Sequence, residues 1–305
     1  MILRRAAAIA LSLALLSGCT GSGDLDGDLV DDWRSFEAPV VFTPPAGICH
    51  LTGYKDSNME LAESFRPVDC ASEHGSETLF VGQFTGEVAA QASPPPDASP
   101  AHRAAFAECD KRAAAFVGDE WREAHLAVGV VMPSRAGWRG GARWFRCDLT
   151  EVNSDLEVVG EIIAYGTGEP RTGSLKDALR GASDLRLGCY QYNDSDSSRP
   201  AITVVGCDRR HNTEFAGVLR ADGSMLYPAG TSAWNRLYEG CRKVIAAFAK
   251  VPYDGNIAYR TGVFAQPAPE RYWKAGDHGV RCFLWLGDRM VSRSLQGTGT
   301  KGLPM

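Results

Sequence analysis

The cysteine residues constrain the fold of this chain more than any other feature of its sequence. The 305 residues include nine cysteines, and Cys19 follows an N-terminal apolar run. The other eight form two sets of four, which are Cys49, Cys70, Cys109 and Cys147, then Cys189, Cys207, Cys241 and Cys282. Within the sets the successive separations are similar, at 21, 39 and 38 residues and then 18, 34 and 41 residues. An even number of cysteines repeated in this way predicts a disulfide framework that is built twice.

A second motif supports an internal repeat. After the second cysteine of each set the chain reads C-x-x-x-H-x-x-E, with His74 and Glu77 in the first copy and His211 and Glu214 in the second. Before the fourth cysteine, Trp138 and Trp273 stand at the same distance from an Arg-Cys pair. Because these matches occur in the same order in both halves, they indicate a duplicated unit.

Each third cysteine lies in an apolar stripe with helical spacing. The stripe residues are Phe106, Cys109, Ala113 and Phe116 in the first half and Tyr238, Cys241, Ile245 and Phe248 in the second. Gaps of three and four residues place each set on one face of a helix. Ser99 followed by Pro100 predicts the start of the first helix.

Strand patterns surround both helices, and we therefore predict an α+β fold. Each repeat reads as three strands, one helix and two strands, which predicts a small antiparallel sheet with one covering helix. The expected organisation is two tandem homologous domains stapled by disulfides, at residues 38–181 and 182–305. Residues 148–173 lengthen the first repeat relative to the second.

The order of strands and helix suggests a disulfide pairing within each repeat. An antiparallel hairpin brings the first two cysteines together, which leaves the helix cysteine to meet the last strand. The expected bonds are Cys49–Cys70, Cys109–Cys147, Cys189–Cys207 and Cys241–Cys282. Four cysteines allow three connectivities, so the other pairings stay open at this point.

The N-terminus has the pattern of a lipoprotein signal peptide at residues 1–18. Arg4 and Arg5 precede an apolar run at residues 6–16 that is too short to span a bilayer. The run ends in Leu-Ser-Gly-Cys, which resembles a lipobox, so we expect Cys19 to carry palmitate or another lipid. A soluble secreted protein with a cysteine near its cleavage site is the alternative.

Residues 19–37 are rich in Gly and Asp and predict a flexible tether. The expected location is the outer face of the cell membrane, reached through the lipid anchor. A formal net charge of −5 provides no strongly basic surface, which argues against a nucleic-acid partner.

Taken together, these motifs resemble the septum-formation domain of actinobacterial envelope proteins. The resemblance rests on the C-x-x-x-H-x-x-E segment, the helix cysteine and the W-x-x-G…R-C segment. It extends over residues 47–296, in which these motifs occur twice. It implies a cell-envelope protein with a link to septum formation. It supplies no catalytic residues that could be assigned here.

The two His/Glu pairs are the first candidate functional residues. Imidazole and carboxylate groups three positions apart, as in His74 with Glu77 and His211 with Glu214, could bind a cation or transfer protons. Zinc normally needs three or four protein ligands, and disulfide sulfur is not a thiolate ligand. We therefore predict no metal and no cofactor, and a structural role for both pairs remains the competing interpretation.

The two tryptophans are the second set of candidates. Trp138 and Trp273 could pack over a disulfide in the core, or could stack on glycan rings if they share an exposed groove. The chain contains no G-x-S-x-G, P-loop or H-E-x-x-H motif. We therefore expect a non-catalytic recognition or scaffolding protein with an envelope protein or glycan as its partner. The alternative is an envelope enzyme or metal-binding module that uses the His/Glu pairs.

Overall fold

The computed structural model describes residues 40–53, 65–154, 156–159, 162–163, 166, 168–193 and 200–304. The predicted signal peptide, Cys19 and the tether at residues 19–37 lie outside the described residues. Among the helices that are described, none combines the length and the apolar character needed to cross a membrane.

The strands are β1 Ile48–His50, β2 Pro67–Val68, β3 Ser76–Gln83, β4 Leu126–Val131, β5 Trp144–Glu151, β6 Leu156–Val159, β7 Ile162–Ile163, β8 Cys189–Asn193, β9 Ala201–Val205, β10 Thr213–Arg220, β11 Gly262–Pro267 and β12 Gly279–Trp285. The helices are α1 Gly86–Ala89, α2 Pro100–Val117, α3 Arg135–Arg139, α4 Gly230–Ala249, α5 Ile257–Arg260, α6 Glu270–Ala275 and α7 Gly299–Gly302. A single 3₁₀ turn, Trp121–Glu123, precedes β4.

The first half of the chain forms a five-stranded antiparallel sheet in the order β2-β1-β3-β5-β4. Helix α2 covers one face of this sheet and begins where the sequence predicts. The Ser99 side chain accepts a hydrogen bond from the backbone N–H of His102, and Pro100 occupies the first turn. The helix ends at Gly118, whose φ of +91° lies in the left-handed region that glycine adopts at low cost.

The second sheet is a closed barrel of seven strands in the order β10-β12-β11-β7-β6-β9-β8, with β8 pairing back onto β10. Its pairings are antiparallel except for β11 with β7, which run parallel. Helix α4 packs outside the barrel on the face that carries Cys282. Aromatic and aliphatic side chains fill the barrel interior.

Four disulfides staple these elements, and they are the four bonds suggested by the order of strands and helix. They join Cys49 to Cys70, Cys109 to Cys147, Cys189 to Cys207 and Cys241 to Cys282. Two of them anchor a long helix to a central strand, since Cys109 joins α2 to β5 and Cys241 joins α4 to β12.

The expectation of two tandem homologous α+β domains, each a small sheet with one helix, is wrong. The barrel takes two of its strands, β6 and β7, from the segment that lengthens the first repeat. Strand β6 pairs with β9 and β7 pairs with β11, so strands on both sides of residue 181 share one sheet. The residues from Val41 onward accordingly form one compact unit. The repeated motifs indicate local similarity between the two halves. The pairing of β6 and β7 depends instead on residues far away in the sequence.

Candidate functional site

The His/Glu pairs hold loops in place in the same way in both halves. Glu77 accepts hydrogen bonds from the Ser174 hydroxyl at 2.6 Å and from the Leu175 amide at 2.7 Å. In the second half, the Glu214 carboxylate accepts the Ser294 hydroxyl and the amide of the following residue. Both glutamates are almost fully buried. Burial raises the pKa of Glu214, and its two hydrogen bonds oppose that rise.

The two histidines are also buried and have matching contacts. His74 Nδ1 lies 2.9 Å from the Ser72 carbonyl oxygen, and His211 Nδ1 lies 2.8 Å from the carbonyl oxygen of Arg209. Because a carbonyl only accepts, Nδ1 carries the proton in each ring. Within the described part of the chain, the Nε2 atoms of His74 and His211 are buried without a hydrogen-bond partner.

Each glutamate lies close to a disulfide. The side chains of Cys49, Cys70 and Glu77 approach one another within 4.8 Å, and the corresponding residues of the second half do the same. Both sulfur pairs are oxidised to disulfides, so they do not provide the thiolates that zinc binds. In the folded, oxidised protein, each cluster therefore offers a metal ion one carboxylate and no thiolate.

The two candidate tryptophans lie in the core and do not form a shared groove. Trp138 is fully buried, and its indole N–H donates to the Gln91 carbonyl at 2.7 Å. Trp273 is equally buried and donates to the Met225 carbonyl at 2.7 Å. Trp138 lies on α3 and Trp273 on α6, so each indole joins a short helix to the segment before a long helix and fixes that segment.

The arginines of the two Arg-Cys pairs have different roles. Arg281 donates to the carbonyl oxygens of Arg122, Ala124 and Leu126, so it fastens β12 to the start of β4. The corresponding residue in the first half, Arg146, forms an ion pair with Asp148, with 2.9 Å between Nη2 and Oδ2. It also lines a cavity.

This cavity is a candidate binding site in the described part of the chain. Its volume is about 700 Å³, within the usual range of about 300–1,000 Å³ for ligand pockets. Its polar floor comes from β3 and β5 and includes Ser76, Arg146, Asp148 and Thr150, all of which are buried. The edge strand β4 forms one wall.

The remaining lining combines apolar and basic residues. Phe106 of α2 and Tyr272 of α6 contribute aromatic surface. Three arginines outside the floor also line the cavity, namely Arg135, Arg139 and Arg271.

A buried hydrogen-bond chain runs from the floor across the neighbouring strands β3 and β1. Asp148 Oδ1 accepts the Thr78 hydroxyl at 2.7 Å, and Thr78 Oγ1 lies 2.9 Å from His50 Nε2. Since the one hydroxyl proton of Thr78 goes to Asp148, His50 donates from Nε2. Burial, together with the positive charge of Arg146, lowers the pKa of His50 to about 4, so its ring is neutral near pH 7.

The corresponding face of the barrel is filled by aromatic side chains. Counted from Cys147 and Cys282, Asp148 corresponds to Phe283 and Thr150 to Trp285. Counted from the strand residues paired with those cysteines, Gly129 corresponds to Phe264. A Cβ added at Gly129 would meet nothing within 4 Å, so the space beside this residue is open. At the corresponding position of the barrel, the ring of Phe264 fills the core.

No motif points to this cavity, so sequence reasoning missed it. The signal was nevertheless present in the two halves, once their cysteines are aligned. Positions on one strand face change from Asp and Thr in the first half to Phe and Trp in the second. Such a change indicates that this strand face has different surroundings in the two sheets, which are a polar cavity in the first and an apolar core in the second.

The comparisons with known proteins agree with the motif resemblance. The family model described as "Septum formation" matches residues 46–282, which include parts of both halves. No curated protein and no solved structure matches the chain.

Proposed function

Because this chain belongs to the septum-formation family, we propose that it is a non-catalytic recognition module of the cell envelope that acts in septum formation. Membership of the family relates the protein to cell division. The finer statement, that it works by binding rather than by catalysis, is supported by the cavity on the first sheet.

The difference between the two sheets carries this proposal. Both contain a central strand that is bound to a long helix through a disulfide. In the barrel, the opposite face of that strand is sealed by Phe283 and its aromatic neighbours. In the five-stranded sheet the same face is polar and opens into a cavity of about 700 Å³. A pocket of this volume with a few fixed polar groups in its lining is the usual form of a ligand site, which favours a role in binding.

The contacts of the two serines in the cavity favour binding over serine-dependent catalysis. Ser76 Oγ donates to the Thr52 carbonyl at 2.7 Å, and Ser134 Oγ accepts the Gly137 amide at 3.1 Å. Neither serine is hydrogen-bonded to a histidine among the described residues. A serine nucleophile would need a base within hydrogen-bond distance.

The proposed location is the outer face of the membrane, with Cys19 lipidated and residues 19–37 as the tether. Four disulfides in a chain of this size are typical of an oxidising compartment outside the cytoplasm. A Cys19→Ala variant tests the anchor, since we expect it to leave the membrane fraction.

Filling the cavity tests the binding role. Gly129→Phe places at this position the aromatic ring that the barrel carries at Phe264, in a space that is open. We expect the variant to fold with all four disulfides and to fail to restore normal septa in cells that lack the native protein. Val204→Phe, on an exposed barrel strand, is the matched control and should restore septation.

A folded Gly129→Phe protein that restores septation fully would overturn the proposal, because the cavity would then be dispensable. Comparing the two variants by thermal unfolding and by non-reducing peptide mapping separates loss of binding from loss of folding.

A further inference from the structure

We propose that the cavity binds an extended acidic peptide, which adds to β4 as a sixth strand of the first sheet. This inference rests on the proposed recognition function and names the class of partner. Three independent observations support it: the position of β4, the two surfaces beside it and the charge of the lining.

Strand β4 is an edge strand, whereas its counterpart in the barrel is paired on both sides. Strand β11 pairs with β12 on one side and with β7 on the other, where Ala265 lies opposite Ile162. The residue of β4 that corresponds to Ala265 is Val130, since these two pair with Cys282 and Cys147. Among the described residues, none forms a strand pair at the outer edge of β4. The molecule itself therefore shows how a short added strand completes this arrangement.

Backbone N–H and C=O groups at the outer edge of β4 point away from β5, toward the position of an added strand. In an antiparallel pair, alternate residues direct both N–H and C=O away from the partner strand. The His125 carbonyl accepts the Val152 amide, so the backbone of His125 faces the β5 side. By alternation, Leu126, Val128 and Val130 face outward, and the Leu126 carbonyl accepts from Arg281 instead. An incoming strand would satisfy these groups, which is the basis of peptide recognition by strand addition.

The surfaces above and below the edge differ in polarity. On the side of α2, Val128 and Val130 belong to the same apolar cluster as Phe106, so this surface is apolar. On the opposite side, Arg146 and Asp148 form the polar floor. Because side chains alternate between the two faces of a strand, a peptide with alternating apolar and polar residues would place each type against a matching surface.

The charges favour acidic residues on the polar positions. Arg135, Arg139 and Arg271 line the cavity, and none of them forms an ion pair with a described residue. On the floor, Arg146 is already balanced by Asp148. Asp97 also lines the cavity, so the lining has four arginines against two aspartates, and this excess positive charge attracts carboxylates and disfavours cationic peptides.

The experiment measures binding of three acetylated, amidated heptapeptides to the full chain by calorimetry. The first alternates Val and Asp, the second alternates Val and Lys, and the third is the Val-Asp peptide with alternate backbone amides N-methylated. We expect binding of the first peptide only, with at least a tenfold loss for the others. Equal binding of the N-methylated peptide would overturn strand addition, and equal binding of the lysine peptide would overturn the charge argument.

Two protein variants test the same points from the other side. The double variant Arg135→Gln/Arg139→Gln should weaken binding of the Val-Asp peptide at least tenfold, since it removes two exposed charges. Val130→Pro should do the same by removing an outward N–H without breaking the pairing to β5. Circular dichroism of each variant checks folding, and the N-methylated peptide repeats the test without any change to the protein.

The outcomes distinguish this inference from the proposed function. If none of the peptides binds while Gly129→Phe still abolishes septation, the cavity acts in recognition but its partner is not an acidic strand. If the Val-Asp peptide binds and Gly129→Phe has normal septation, the recognition function fails. A wild-type dimer that Val130→Pro converts to a monomer would identify a second copy of this chain as the occupant and would overturn the proposal.

Discussion

Arg122 and Asp277 form a buried ion pair across the junction of the two sheets, with 2.7 Å between Nη2 and Oδ1. Their side chains are only 4% and 5% exposed, although 155 residues separate them in sequence. Asp110 also contacts the guanidinium group of Arg122. The backbone carbonyl of the same arginine accepts a hydrogen bond from Arg281. This junction therefore combines charge pairing with backbone contacts, and it holds the five-stranded sheet against the barrel.

Replacing Asp277 by Asn should lower the free energy of unfolding by about 3 kcal/mol, because it leaves the Arg122 charge buried with less compensation. Chemical denaturation with the disulfides intact provides the measurement. Glu108→Gln is the control, since it removes the half-buried partner of the exposed Arg112 and should cost about 0.5 kcal/mol or less. Equal effects of the two substitutions would show that the junction does not depend on the buried pair.

The closure of the barrel by β6 and β7 makes a second prediction. Ile163 of β7 is 1% exposed and packs in the barrel interior. Ile163→Ala should therefore lower the free energy of unfolding by about 2–5 kcal/mol. Val204→Ala, on the exposed side of β9, should cost about 0.5 kcal/mol. A small effect at Ile163 would contradict the assignment of this segment to the barrel.

These two features mark the limit of what the sequence predicts. The helix around Cys109 could be predicted because the apolar stripe, the Ser99 cap and Pro100 are local signals. The pairing of β7 with β11 could not, because Ile162 and Ile163 carry no signal for a partner a hundred residues away. A repeat also suggests that both halves have the same fold. It gives no indication that β6 and β7, which follow the first set of cysteines, join the sheet of the second half.

The cavity was missed for a related reason. Arg146 and Arg281 are identical in the two motifs, yet one lines the cavity and the other binds backbone carbonyls at the junction. Their roles depend on what covers each strand face, which is set by the neighbours Asp148 and Phe283. The difference between the two faces can be read only from these non-matching positions. The motif consists of the matching positions and therefore does not show it.

The buried glutamates make a prediction about the matching positions. Glu77→Ala leaves the buried Leu175 amide without its acceptor and should lower the free energy of unfolding by about 1–3 kcal/mol. Glu214→Ala should cost a similar amount, because it removes the same two contacts in the other half. Urea denaturation measures both effects.

The control for the glutamates is Glu73→Ala, which changes an exposed residue near Glu77 and should alter the free energy of unfolding by about 0.5 kcal/mol or less. If Glu77→Ala proves as mild as this control, the carboxylate does not hold the loop, and a functional role for the His/Glu pair regains weight.

The buried histidines predict a pH dependence of stability. Burial, reinforced by the charge of Arg281, lowers the pKa of His125 to about 4, and His50 has a similarly low pKa for the same first reason. The unfolded chain binds a proton at each histidine near pH 6.5, whereas the folded chain does not until about pH 4. Protons therefore favour unfolding in that window, so stability falls as the pH is lowered from 6.5 to 4 and rises in the opposite direction.

The variant His125→Gln isolates this contribution from the carboxylates that titrate in the same range. His125 Nε2 lies 3.2 Å from the Tyr190 hydroxyl, a contact that a glutamine amide can replace. The difference in unfolding free energy between pH 6.5 and pH 4 should be smaller in the variant by up to about 3 kcal/mol, at about 1.4 kcal/mol per pKa unit. Urea denaturation of both proteins at the two pH values gives this difference directly. An identical pH dependence would mean that His125 accepts a proton in the folded protein as readily as in the unfolded chain, which its burial between Arg281 and Tyr190 argues against.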